Sequence, residues 1–207
     1  MPYIRNIDQH QTEDRRRKLD PHITQIIDRL LALELTGTMQ QCFFDCAYLS
    51  FYAWTARFEA LQGGKIRYYN FNDQGGVVIN AVWEMMRRMK VTVSLQGNWK
   101  QFNQEECDRK VVRKEQLATL LYDLMQNFDT DRGEAVGEFN YSLSEIALAL
   151  VNSEKLEEKV AIRIVYAAGF KFYNEPTAAY EDESITHPEK GDTAGYTRYQ
   201  NRHPKKS

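Results

Sequence analysis

Residues 39–61 read MQQCFFDCAYLSFYAWTARFEAL. On a helix, Phe43, Phe44, Ala47, Tyr48, Leu49, Phe51, Tyr52, Trp54 and Phe58 leave no continuous polar face. A helix that is apolar nearly all round has to be surrounded. The stretch therefore predicts a helix at the centre of a bundle, or one at a contact between copies. Thr38 supplies an N-cap before it, and Gly63-Gly64 closes it. Cys42 and Cys46 share one face with Met39, Leu49 and Ala53. They read as small core residues and not as metal ligands, since free cysteine buries readily and no histidine lies nearby in sequence.

Working outward, Asp20-Pro21 reads as an N-cap followed by proline at the first helical position. Ile23, Ile26, Ile27, Leu30, Leu31 and Leu33 then follow helical spacing up to Gly37. Residues 1–19 before them form a charged arm. After residue 64, KIRYYNFNDQGG is the least helical stretch, and 66–72 and 91–97 are candidate strands flanking a helix over 77–90. Leu117, Leu120, Leu121, Leu124 and Phe128 mark a helix over 114–128. DTDRGEAVG reads as a loop, with further helices over 138–151 and 154–173. Ser153 is the expected cap of the last one, Gly169 a close-packing point, and Pro176 an interruption. The expected fold is mainly α, a bundle of six or seven helices with at most one small β-hairpin. One domain spans 20–183, with 38–110 as a candidate inserted lobe and 184–207 as a polar tail.

A hydrophobic fraction of 43% supplies a packed core and argues against wholesale disorder. A net charge of −2 gives no global attraction to nucleic acid or anionic membranes. No apolar run approaches the ~20 residues that a membrane span needs. The basic N-terminus lacks a following apolar segment, and the three cysteines are an odd count. Both features predict a reducing, cytoplasmic setting.

Chemistry-bearing patterns are few. Glu154, Glu157 and Glu158 have the ExxEE spacing with which all-α nucleotide pyrophosphohydrolases hold magnesium, but no ExxD follows on an apolar-striped helix. The reading favoured here is a set of glutamates at a helix start, where the helix dipole stabilises anions. Asp129 and Asp131 begin like a calcium loop, but position twelve is Asn140, so that reading fails. His10, His22, His187 and His203 lie in or near the ends, and no nucleophile elbow or phosphate loop is present. The group with most binding potential is Asn140, Tyr141, Lys171, Tyr173, Tyr180, Glu181 and Asp182, whose aromatic faces, lysine and amide suit a base or a phosphorylated ligand.

Several short segments carry a resemblance: Met1-Pro2-Tyr3-Ile4, Arg17-Lys18-Leu19-Asp20-Pro21, Gly137-Glu138-Phe139-Asn140-Tyr141, Lys171-Phe172-Tyr173, Tyr180-Glu181-Asp182 and Gly191-Asp192. In order and spacing the chain resembles a small, uncharacterised domain-of-unknown-function family of phages and bacteria. The match covers roughly the first 30 and last 70 residues. It departs at Phe139, at Asn174-Glu175 and across the middle of the chain. The resemblance implies an all-α fold and a phage or bacterial setting, and it carries no activity.

The expected function is that of a non-enzymatic, cytoplasmic helical protein that self-associates and binds a protein partner or a small anionic or nucleotide ligand, without a cofactor. The first alternative is a magnesium-dependent nucleotide pyrophosphohydrolase using Glu154, Glu157 and Glu158. The second is a virion or assembly component.

Overall fold

In a computed structural model, residues 9–33, 38–61, 68–95 and 111–186 are described, with side chains over 14–33, 38–57, 74–95 and 117–173. Among these residues the chain forms six helices and no strand: α1 (Gln9–Leu33), α2 (Met39–Leu61), α3 (Tyr68–Met89), α4 (Val111–Gln126), α5 (Arg132–Asn152) and α6 (Glu158–Thr186).

The mainly α bundle is built around α2, as its all-round apolar surface requires. Its most extensive neighbours are α6 and α4, and α1 and α5 also touch it. Phe51 and Trp54 of α2 meet Phe139 of α5 at ring-centroid distances of 5.3 and 5.1 Å, and Phe51 stacks with Phe172 of α6 at 6.4 Å. Each such ring stabilises the fold by about 1.5–3 kcal/mol through burial. Cys42 and Cys46 are fully buried among them, and burial pushes the Cys46 thiol up to about 12. Residues 39–61 and 68–89 supply two helices, α2 and α3, whose buried residues belong to one continuous core.

Several local expectations are corrected. Asp20-Pro21 does not start α1, because the helix begins at Gln9 and carries Pro21 inside it. Leu19 extends the apolar seam Ile23, Ile26, Leu30 and Leu33 by one turn and is 1% exposed. That burial offsets the hydrogen bond that proline removes. The arm expected over 1–19 is thus helical from Gln9 onward. The candidate strand over 66–72 overlaps the first turns of α3, and 91–95 are irregular; 96 and 97 lie outside the described residues. The helix expected from 138 starts at Arg132, with Asp131 as N-cap accepting the Glu134 N–H at 3.1 Å. Finally, Ser153 closes α5 and does not open α6. The α6 helix runs past position 176 to Thr186, where an interruption was expected.

Gly169 is a close-packing point, as its position on the α6 stripe predicts. A Cβ there would lie 2.6 and 2.7 Å from the Val78 methyl groups of α3 and 3.1 Å from Phe51. A Cβ at Gly75 of α3 would likewise meet the Tyr173 ring at 3.6 Å. These two contacts run in opposite senses along the chain, so α3 and α6 are antiparallel.

Candidate binding surfaces

The loop between α4 and α5 is held by arginines from two other helices. Arg15 of α1 pairs with Asp129, Glu134 and Glu138 at 2.7, 2.9 and 3.0 Å. Burial alone works against its charge, but Glu138, Asp129 and Glu134 outweigh it and hold the guanidinium above its ordinary value. Burial pushes the Glu138 carboxyl up, against the pull of the Asp129 N–H and of Arg15. Buried Arg57 of α2 reaches the Phe128 and Asp129 carbonyls and lies over the Phe128 ring at 5.9 Å. Of the two carboxylates that resemble the start of a calcium loop, Asp129 pairs with Arg15 and Asp131 caps α5. Among the described residues no group of three His, Cys, Asp or Glu is placed to hold a metal ion.

Tyr141 of α5 sits where α1, α3 and α5 meet. Its hydroxyl donates to Asp20 at 2.9 Å, and the guanidiniums of Arg16 and Arg88 lie 5.0 and 5.3 Å from its ring centre. Such cation–π contacts favour a fixed ring. Burial and the Asp20 hydrogen bond push the Tyr141 hydroxyl up to about 12. Arg88 also pairs with Glu145. Beside Tyr141, Asn140 is 8% exposed and its Oδ1 has no hydrogen-bond partner among the described residues.

Lys171 and Tyr173 are elsewhere. Lys171 lies over the Tyr48 ring of α2 at 5.6 Å, and Tyr173 packs at Gly75. Gly75 and Arg88 are thirteen positions apart on α3, about 20 Å of helix. The expected cluster is thus two sites: Asn140 and Tyr141 near the end of α3, and Lys171 and Tyr173 near its start. Tyr180, Glu181 and Asp182 fall within α6, but their side chains lie outside the described residues, as do Cys107 and the tail from 187. Glu154, Glu157 and Glu158 are exposed in and after the turn between α5 and α6. Glu154 has a φ of 59° and precedes the helix, so the three do not form one helical face.

Sequence reasoning missed the outer face of α6. Tyr166 and Phe170 are 4.5 Å apart between ring centres, and Phe170 and Tyr173 are 6.4 Å apart. Exposed Lys159 and partly exposed Arg163 continue that stripe toward the helix start. Among the described residues the Arg163 Nε has no hydrogen-bond partner. In the antiparallel register set by Gly75 and Gly169, Trp83 of α3 lies level with Ile164 and Val165. Trp83 is 57% exposed. The available signal was the 3–4 spacing of residues 159, 163, 166, 170 and 173, a second stripe beside the core-facing one.

No family model, curated protein or solved structure matches the chain. No helix among the described residues is long and apolar enough to cross a membrane.

Proposed function

We propose that this chain is a self-associating helical protein of the bacterial or phage cytoplasm that works by binding and not by catalysis. The bacterial or phage setting rests on the sequence resemblance alone. The observation that carries the binding reading is Trp83, more than half exposed on α3. Large aromatic side chains held rigidly at a surface are the usual anchors of protein contacts. Light scattering across a concentration series tests it. The chain mass of 24.2 kDa should double as concentration rises. A mass that stays monomeric throughout overturns the reading.

A second reading, binding of a small phosphorylated ligand, is favoured by Tyr141. Exposed Arg16 lies over its ring, and the buried Asn140 Oδ1 beside it lacks a partner among the described residues. A ligand that binds only the folded chain raises its melting temperature with ligand concentration. A thermal-shift screen over nucleotides, with and without magnesium, should show a shift that Arg16→Ala removes. The same shift in the variant places the ligand elsewhere. The magnesium-hydrolase alternative needs the three glutamates to share a helix face, and the turn at Glu154 withdraws that support.

A further inference from the structure

The two halves of α1 are held to the bundle in different ways. After Pro21, Ile23, Ile26, Leu30 and Leu33 form a buried apolar seam, with Ile27 and Leu31 packed beside it. Before Pro21, Leu19 is the only buried side chain among residues 14–20. That half is otherwise tied down by polar groups. Arg15 pairs with Asp129, Glu134 and Glu138, Arg16 lies over the Tyr141 ring, and Asp20 accepts from the Tyr141 hydroxyl. Glu134, Glu138 and Tyr141 are spaced by four and three positions, so they share one face of α5, and the first half of α1 covers it. The joint between the two halves is weak. Pro21 has no N–H to donate to the Arg17 carbonyl, and the Thr24 hydroxyl competes for the Asp20 carbonyl at 2.9 Å. Both features favour a bend at that turn.

We infer that residues 9–20 form a strap, hinged at Pro21 and held shut by charge, which opens apart from the rest of the bundle and gates the Glu134–Glu138–Tyr141 face of α5. A segment held by an apolar seam opens only with the core. This one gives up the burial of Leu19 alone among its described side chains. Of the ions that hold it, Glu138 is largely buried, whereas Arg15, Asp129 and Glu134 are 28%, 36% and 51% exposed. Charges so placed are screened by salt, and the screening length falls from about 10 Å at ~0.1 M to about 3 Å at ~1 M. Once undocked, a helix as short as this half is marginal in water and unravels. Opening withdraws Arg16 and Asp20 from Tyr141 and Arg15 from Glu134 and Glu138, so the face it uncovers is acidic and aromatic. The surface around Tyr141 is complete only with the strap closed. The device is independent of self-association.

The test is amide hydrogen exchange of the full chain at neutral pH, followed as urea is raised below the unfolding transition. The first four amides of a helix have no intrahelical partner, so the strap is read at residues 13–20 and the seam at 22–33. The strap amides should exchange faster, through an opening that depends little on urea, while the seam follows the steep dependence of global unfolding. Raising sodium chloride from ~0.05 M to ~1 M should lift the strap's opening constant about tenfold. Arg15→Gln should lift it about tenfold at low salt and abolish most of the salt response, which a merely structural role for Arg15 would leave in place. If that variant fails to fold, the urea and salt responses of the wild-type chain decide the matter by themselves. Pro21→Ala, which restores the missing donor, should move the strap toward the urea dependence of the seam. Strap and seam sharing one urea dependence in the wild type, or an opening constant indifferent to salt, overturns the strap. An unchanged dependence in Pro21→Ala overturns the hinge.

Discussion

At the scale of single residues, the best-defined polar contact is the Tyr141 hydroxyl on Asp20. It ties α5 to α1 across 121 positions of sequence. Tyr141→Phe removes only that bond, so it should cost about 0.5–1.5 kcal/mol at neutral pH. The pH dependence has a definite sign. The folded hydroxyl is held up to about 12 from an ordinary 10.0, so the fold favours its neutral form. That contribution is complete below the ordinary value and is lost as pH rises through the folded one. Denaturant titrations at neutral and strongly alkaline pH should therefore show the gap between wild type and variant closing toward pH 12. Asn140 and Tyr141 were legible in the sequence as polar residues on a helix with binding potential. Arg16, Asp20 and Arg88 were not, because they come from two other helices and no local spacing links them to Tyr141.

At the scale of elements, the sequence is most readable where burial is one-sided or complete. The apolar surface of α2 and the leucine seam of α4 define helices without further help. The start of α3 is not readable in this way, since Tyr68-Tyr69-Asn70-Phe71-Asn72 has weak helix formers and two glycines soon after. Gly133 and Gly137 concealed the first turns of α5 in the same manner. Asp20-Pro21 misled in the opposite direction, because a sound capping signal was overridden by the buried Leu19 one turn earlier. Gly169 is the case in which a glycine is required by its neighbour. In Gly169→Ala the added methyl meets Val78, a β-branched side chain with little freedom to move away. Overpacking costs about 1–3 kcal/mol, against a helix-propensity gain of at most about 1 kcal/mol. The variant should be less stable in urea, and adding Val78→Ala should recover part of the loss.

At the scale of the whole molecule, Arg15 joins the first helix to the α4–α5 loop and the start of α5. The RRRK run that contains it reads locally as a solvated arm, since its partners Asp129, Glu134 and Glu138 are more than a hundred positions away. Arg15→Gln leaves those carboxylates facing one another and should cost about 1–2 kcal/mol at neutral pH, discounted from a fully buried pair because Arg15 is partly solvated. Glu138 already sits above the ordinary 4.5 of its class, and loss of the Arg15 attraction raises it further. A raised carboxyl favours the fold below its ordinary value and disfavours it as pH climbs through the folded value. The variant's deficit should thus be widest near neutrality and narrow as pH falls toward 4.5, as read from urea midpoints at each pH.

That same clasp sets a timetable for synthesis. Arg15 leaves the ribosome 119 positions ahead of Glu134, a wait of roughly 6–24 s at ordinary rates of translation. The helix α2, whose largest contact is with α6, waits longer still. The face of this most apolar helix that packs on α6 stays uncovered until α6 has emerged. Completion of the core thus waits on a late helix, although each element among the described residues is itself local in sequence.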